Sequence, residues 1–253
     1  MRIPPVSNSM NMSLIRMSSM KRINSAADDA AGLAISEKMK DQYSGIDKVT
    51  ENIQDMSNLM KTAEGSMGSV QENLQRMREL AVQASNGTLT LEDRTVIQDE
   101  IDQLKQGISE TVSNTEFNTQ KLLDGSFNAK NVAMGADGTG GKANISSLSL
   151  DSLGISDFSV VSGNFDISKI DNALSQVSEN RSSVGSQMNR YEHAENMNRT
   201  ASNNLKESQS RIADADITKE LISLNIGKVM QQYKYYSMKQ QSNVEGSKLN
   251  LLL

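Results

Sequence analysis

The fold of this chain is decided by the stretch IDKVTENIQDMSNLMKTAEGSMGSVQENLQRMRELAVQA, residues 46–84. Apolar side chains step through it by three and four positions, and it contains no proline. They are Ile46, Val49, Ile53, Met56, Met60, Ala63, Met67, Val70, Leu74, Met77, Ala81 and Ala84. Such a heptad seam keeps one stripe of a long helix against a partner helix. The stretch therefore predicts a helix roughly 58 Å long.

Shorter helices are predicted before and after this stretch. Apolar spacing predicts one over 10–20, with 1–9 irregular. Gly87 is well placed to cap the end of the long helix, and Thr90 with Asp93 predicts the start of the next helix. That helix carries the seam Ile97, Ile101, Leu104, Ile108 and Val112. Because the connection is short, the two helices should be antiparallel neighbours.

Residues 124–165 differ in character from the helical stretches. They contain the glycines Gly125, Gly135, Gly138, Gly140, Gly141, Gly154 and Gly163. Residues 145–150 and 158–161 have the apolar pattern of short strands. We expect a loop with a small β-hairpin at the distal end of a helical rod.

The heptad pattern resumes after this segment. It runs through Ile167, Ile170, Leu174, Val177, Val184, Met188 and Tyr191, with Arg181 at one position, and after a one-residue slip through Ala194, Met197, Ala201, Leu205 and Ile212. A further helix is predicted after Asp216. The fold class is therefore mainly all-α: a long antiparallel coiled-coil-like helical rod with a small β-hairpin region.

Composition argues against several classes of function. The net charge of −5 is unfavourable for nucleic-acid binding, which needs a basic face. No run approaches the roughly 20 apolar residues of a membrane span, and no apolar segment of a secretory signal follows the N-terminus. The chain has no cysteine and one histidine, His193, without metal-ligand spacing. We therefore expect no metal, no cofactor and no enzymatic activity.

Several motifs resemble those of one protein family. Residues 22–39 read RINSAADDAAGLAISEKM, and residues 74–83 read LQRMRELAVQ. Further similar stretches are IQDEI at 97–101, NTEFN at 114–118, NRYEH at 189–193 and SRIADAD at 210–216. Together they resemble the signatures of bacterial flagellins, in both halves of the chain.

The resemblance implies a domain organisation and a function. Residues 1–30 and 213–253 would pair as a terminal inner-core domain lining the filament channel. Residues 31–212 would form a rod domain in the filament wall, with a short variable region at 124–165, as in a minimal flagellin. The implied function is a structural subunit that self-assembles into the flagellar filament for motility. An accessory hook–filament junction protein or a minor flagellin is the alternative.

The same resemblance implies partners and a location. The chain would bind further copies of itself, the filament cap and the hook-junction proteins. It would leave the cell through the flagellar export machinery without a cleaved signal peptide, with an export chaperone on its C-terminal segment, and it would be extracellular. Animal hosts would sense it through the flagellin-sensing Toll-like receptor.

The sequence departs from the family pattern at three places. The segment before Arg22 is several helical turns shorter than usual and contains Pro4 and Pro5, which a helix interior excludes. Met20 stands where the family usually has glycine. Tyr233, Tyr235 and Tyr236 stand where small residues are common. We expect these tyrosines to fill a groove left by the short N-terminal partner, within the subunit or between subunits. Ordinary interface aromatics, or a truncated start, are the alternatives.

Three sets of candidate residues follow from the resemblance. The terminal-core packing set contains Tyr233, Tyr235, Tyr236, Leu249, Leu251 and Leu252. The junction set contains Arg22, Asp28, Asp29, Arg211, Asp214 and Asp216, which either pair within and between subunits or serve as helix caps and solvated charges. The receptor-region set contains Gln75, Arg76, Arg78, Glu79, Leu80 and Glu100, which would contact the host receptor or a neighbouring subunit.

Overall fold

The computed structural model describes the backbone of residues 6–163 and 165–250, and the side chains of 8–163, 165–241, 243 and 244. The elements are α1 Val6–Ser19, α2 Ala30–Ala84, α3 Leu91–Asn114, β1 Glu116–Phe117, β2 Gln120–Lys121, β3 Lys130–Ala133, β4 Gly140–Ala143, α4 Ser168–Ala213 and α5 Ile217–Asn250. Contacts divide the chain into unit 1, residues 1–44 and 202–253, and unit 2, residues 45–201. The domain bounds expected from the sequence, at residues 30 and 213, concern the assembled filament and stay a prediction.

The helices of unit 2 pack in antiparallel fashion, as the sequence predicts. The Gln54 side chain donates to Glu195 (2.8 Å), and Arg78 donates to Asp171 (2.7 Å), so numbering falls along α4 as it rises along α2. Ten of the twelve seam residues of α2 are buried, and Ile46 and Met56 are half-buried. On α4, Met197 was expected in the seam but is 74% exposed. That expectation is wrong because the adjacent Asn198 is the residue that turns inward and bonds the Met134 carbonyl.

Two helix caps were predicted in the connection between α2 and α3, of which one is confirmed and the other is wrong. Thr90 and Asp93 form the predicted capping box at the start of α3. Gly87 does not adopt the left-handed conformation of a C-terminal cap. Instead the last carbonyls of α2 accept bonds from the residues that follow the helix: Ser85 donates both its N–H (3.1 Å) and its hydroxyl (3.0 Å) to the Ala81 carbonyl, and the Asn86 N–H donates to the Gln83 carbonyl (3.1 Å).

The predicted strands at 145–150 and 158–161 are wrong. The observed pairs are β1 with β2 and β3 with β4, both antiparallel. Residues 145–160 still bury apolar side chains, namely Ile145, Leu148, Leu153, Ile155, Phe158 and Val160, but side chains of α3 satisfy part of their backbone. Gln98 accepts from the Val160 N–H (2.8 Å), and Lys105 donates to the Phe158 carbonyl (3.3 Å). The apolar pattern of these segments therefore indicates burial and not strand pairing.

The β3–β4 hairpin lies elsewhere in unit 2 than expected. The mainly helical class with a small β region is confirmed, but the hairpin was expected at the distal end of the rod. Its turn packs Ala136 against Gly45, and Asn198 bonds its backbone at Met134. The hairpin therefore packs near the first residues of α2 and the last residues of α4 that belong to unit 2. It lies there because, after α3, the chain runs back along the helices toward Gly45.

In unit 1, α1 packs antiparallel against α5. Arg16 pairs with Glu220 (3.3 Å), and Met10 lies so close to Gly227 that a methyl group there would come within 2.6 Å of the Met10 Cγ. Glycine at 227 thus permits close approach of the two helices. Residues 6–9 were expected to be irregular but belong to α1.

Candidate assembly surfaces

Residues 20–23 form a short backbone pairing with the segment that joins α4 to α5. The Arg22 N–H donates to the Ala213 carbonyl (2.7 Å), and the Ala215 N–H donates to the Met20 carbonyl (3.0 Å). Lys21 and Asp214 form an isolated antiparallel bridge. This pairing fixes the connection from α1 to α2 within unit 1.

Met20 holds a backbone conformation that disfavours side chains. Its φ is 55°, in the left-handed region, and its side chain is 68% exposed. This explains why glycine suits the position, since glycine adopts positive φ without steric cost. Methionine at position 20 therefore strains the backbone between α1 and α2, and its exposed side chain makes no core contact among the described residues that would compensate for the strain.

Replacing Met20 by glycine should stabilise unit 1 by about 0.5–1 kcal/mol, the relief of left-handed strain less the extra entropy of the unfolded glycine. Amide hydrogen exchange in α1 measures the effect. Met20→Ala removes the same exposed side chain but keeps the Cβ, so it should give no such gain. Equal protection in the two variants would show that the side chain, and not the backbone, is responsible.

Two residues of the junction set meet directly. The Arg22 guanidinium donates twice to the Ile212 carbonyl (2.7 and 3.1 Å) and lies 3.5 Å from Asp29 Oδ2. The other oxygen of Asp29 accepts from the Gly32 N–H (2.8 Å), which caps the start of α2. Arg22 and Asp29 thus tie the start of α2 to the end of α4.

The other junction residues act mainly as local caps. Asp28 accepts from the backbone of Ser25 (2.9 Å) and Asn24 (3.1 Å), and these bonds hold the pKa of Asp28 below its ordinary value, so the turn keeps its carboxylate bonds into more acidic solution. Asp216 accepts from the Lys219 N–H (3.2 Å) at the start of α5. Arg211 pairs with Glu207 (2.9 Å) on its own helix.

Asp214 also bonds within its own segment. Its Oδ2 accepts from the Ser210 hydroxyl (2.5 Å), one turn earlier in α4. The structure therefore places all six junction residues in unit 1 and gives most of them the helix-cap or surface role. Any pairing of these residues with a neighbouring subunit stays a prediction.

The receptor-region set lies on α2 and α3 in unit 2. Arg76 bonds Glu100 (2.8 and 2.9 Å) and Glu79 (3.2 Å), and these bonds raise the pKa of Arg76, with Glu100 the larger cause. Gln75 and Arg78 are also exposed. This leaves a charged surface open to a partner.

Leu80 is the exception in this set. It is 2% exposed and belongs to the core of unit 2, so its expected role in surface contact is wrong. A single heptad stripe does not include it, because α2 has partner helices on two sides and buries more than one stripe.

The tyrosines of the terminal-core set are exposed. Tyr233, Tyr235 and Tyr236 are 71%, 67% and 67% exposed, and the last two contact each other edge to face. In the part of the chain that the structure describes, no core covers them, so the version in which they fill a groove within the subunit is wrong there. Leu249, Leu251 and Leu252 lie outside the residues whose side chains are described.

Two of the tyrosines continue an apolar row that was not predicted from the sequence. We name this row the outer face of α5; it consists of Ile222, Ile226, Val229, Tyr233 and Tyr236. Its members are 54–71% exposed and recur at steps of four and three. The signal was present in the sequence as a second heptad stripe, beside the stripe of Leu224 that packs in unit 1.

The fold and these surfaces define a mainly helical structural protein with an apolar surface left for association. No helix among the described residues is long and apolar enough to cross a membrane. The family model of the bacterial flagellin N-terminal helical region matches residues 3–128, and that of the bacterial flagellin C-terminal helical region matches residues 167–252. The chain therefore belongs to the bacterial flagellin family.

Individual relatives agree with this assignment. The chain is 38% identical to a flagellin of Halalkalibacterium halodurans over 247 residues, covering 94% of this chain and 89% of the relative. It is 36% identical to a flagellin of Bacillus subtilis over 275 residues, covering 94% and 90%. A putative flagellar hook-associated protein of Vibrio parahaemolyticus shares the fold, with a TM-score of 0.60 at 16% identity, over 74% of this chain and 100% of that one.

The function of the family follows for this chain. It is a structural subunit that self-assembles into the extracellular bacterial flagellar filament.

Proposed function

We propose that the outer face of α5 is a principal contact between copies in the filament. The observation that carries this proposal is the exposure of five large apolar side chains at heptad spacing on one helix. A row of that kind is unfavourable in water and is stable when a second helix covers it. Because the chain forms filaments, another copy is the partner that is always present.

The rest of α5 supports contact on more than one side. Leu221, Met230 and Met238 lie off the outer face and are also 46–60% exposed. A helix with exposed apolar side chains on more than one side has more than one face to bury in its functional state. Ordering such a helix in the filament has an entropy cost, which the buried apolar surface offsets.

The same C-terminal surface is our proposed site for an export chaperone. A chaperone covering α5 would prevent premature association before the chain passes, unfolded and without a cleaved signal peptide, through the flagellar export machinery. At the filament ends, the cap and the hook-junction proteins would contact the surfaces that copies use for each other.

We propose the charged surface of unit 2 as a second contact region. Gln75, Arg76, Arg78 and Glu79 present it on α2, with Glu100 beside them on α3. In the filament it would face a neighbouring subunit, and in a free monomer it would be open to the flagellin-sensing Toll-like receptor of animal hosts. Arginine beside apolar side chains is typical of such contacts.

Polymerisation of the purified chain tests the self-assembly proposal. Added to short filament seeds, the unmodified chain should elongate them, and electron microscopy should show tubes. A folded monomer that never adds to seeds would favour an accessory or hook–filament junction protein instead.

A further inference from the structure

The turn between α2 and α3 contains a glycine that neither space nor backbone conformation explains. Asn86 and Gly87 are both exposed. A methyl group built on Gly87 would have no atom within 4 Å, and Gly87 is not among the glycines with positive φ. Alanine would therefore fit here, yet the sequence places glycine directly after asparagine.

The hydrogen bonds of this turn act on the Asn86 side chain. Its Oδ1 accepts from the Thr88 N–H (3.1 Å) and from the Thr88 hydroxyl (2.9 Å). The Leu89 N–H donates to the Asn86 carbonyl (3.2 Å). Within the described part of the chain, the Gly87 N–H donates no hydrogen bond. The Gly87 nitrogen, which donates no hydrogen bond to a described residue, is therefore adjacent to the Asn86 side-chain amide, whose oxygen accepts two hydrogen bonds from Thr88.

We propose that Asn86 is a site of spontaneous deamidation that Thr88 accelerates. The Gly87 nitrogen gives its proton to a solvent base and forms a bond to Asn86 Cγ. The negative charge that develops on Oδ1 is stabilised by the two Thr88 donors, as in an oxyanion hole. The bond from Cγ to Nδ2 then breaks, and Nδ2 leaves as ammonia with a proton from solvent.

The product of ring closure is a five-membered imide, which water opens. Addition of water at one carbonyl gives aspartate, and addition at the other gives isoaspartate. The net change is uptake of one water and loss of one ammonia, with no oxidation or reduction. Glycine favours ring closure because it has no side chain to obstruct the attacking nitrogen.

Two other turns of the chain serve as internal comparisons. Asp124–Gly125 and Asp137–Gly138 have the same local pattern, in which the aspartate accepts from the second residue along. The bonds from Ser126 and Thr139 hold the pKa of these carboxyls below the ordinary value. They therefore remain ionised, and an ionised carboxylate is a poor target for a nucleophile. Residues 86–87 are the one Asn-Gly pair in the sequence.

Deamidation of Asn86 would give each copy of the chain one additional negative charge as the copy ages. The new carboxylate lies just before α3, whose first turn already carries Glu92 and Asp93. A negative charge before a helix N-terminus is compatible with the helix dipole, so aspartate at 86 should leave unit 2 folded. Isoaspartate lengthens the backbone and should loosen the turn.

Peptide mass spectrometry of the full chain, aged at mildly alkaline pH, tests the proposal. The peptide that contains residue 86 should become about 1 Da heavier with time and should be labelled by an isoaspartate-specific methyltransferase. Gly87→Ala should slow the gain by at least about tenfold. Thr88→Val should slow it by roughly fivefold, whereas Thr88→Ser, which keeps the hydroxyl, should not.

Unfolding the chain separates the role of the turn from that of the dipeptide. In urea, the rates of the unmodified chain and of Thr88→Val should become equal, because the Thr88 donors are no longer held on Oδ1. In the folded chain, the peptides with Asp124 and Asp137 should not be labelled by the isoaspartate-specific methyltransferase. The proposal is wrong if the peptide gains no mass, or if Thr88→Val ages as fast as the unmodified chain in the folded state.

Discussion

Replacing Gly140 by alanine should separate β3 from β4 and destabilise unit 2 by about 1–3 kcal/mol. A Cβ at this position would lie 1.8 Å from the Val132 carbonyl oxygen and 2.9 Å from the Met134 nitrogen. The first atom belongs to the backbone of β3 and the second to the backbone of the residue that follows it, so no side-chain rotation relieves the overlap. The strands would have to move apart at the Ala133–Gly140 pair.

The damage should extend beyond the hairpin, because α4 holds it through backbone bonds. Gln187 bonds both the N–H (3.1 Å) and the carbonyl (3.0 Å) of Asn144, and Asn198 bonds the Met134 carbonyl (3.0 Å). Both side chains bond backbone atoms, so these hydrogen bonds depend on the position of the backbone and not on the identity of the side chains that it carries. A displaced hairpin therefore loses its anchors on α4 as well.

Gly65→Ala is the matched control for Gly140→Ala. Gly65 lies inside α2, and a methyl group there has no atom within 4 Å. Alanine should stabilise the helix by about 0.5–1 kcal/mol. Urea unfolding gives both free energies, and hydrogen exchange in β3 locates the effect. Equal changes in the two variants would show that the close approach at Gly140 is not a constraint.

The hairpin also shows where prediction from the sequence ends. The α2 seam is visible because a helix with a continuous partner repeats its contacts at every heptad, so burial follows from spacing alone. β4 has the sequence Gly140-Gly141-Lys142-Ala143, without β-branched or aromatic residues. Its pairing depends on the close approach that glycine permits, and this appears only when the opposite strand is in place.

The assembly surfaces divide in the same way. A helix cap is a local event, and the Thr90–Asp93 box was therefore predictable from residues three apart. Leu80 was not, because its burial depends on the second partner of α2. The outer face of α5 has a clear period in the sequence, but a period does not reveal whether the partner helix belongs to the same copy. For a chain that completes its core by association, exposure in the single copy is the deciding observation.

Replacing Tyr233, Tyr235 and Tyr236 by alanine should have the largest effect on function. The three rings are at least two-thirds exposed in the single chain, so their loss should not weaken its folded core. In the filament each ring would bury apolar area worth about 1 kcal/mol or more, which raises the critical concentration for polymerisation roughly 100-fold for the three together. Seeded elongation and filament melting measure the change.

Two variants distinguish apolar contact by the rings from a role of the tyrosine hydroxyls or of nearby charge. Replacing the same three tyrosines by phenylalanine keeps most of the apolar area, so those filaments should assemble and melt nearly as the unmodified ones do. Lys234→Ala removes a neighbouring side chain of similar length and should change the critical concentration only slightly, since exposed charges contribute little. If the alanine variant instead formed filaments with unchanged melting, the tyrosines would be ordinary surface residues. The contact between copies would then rest on Ile222, Ile226 and Val229 alone.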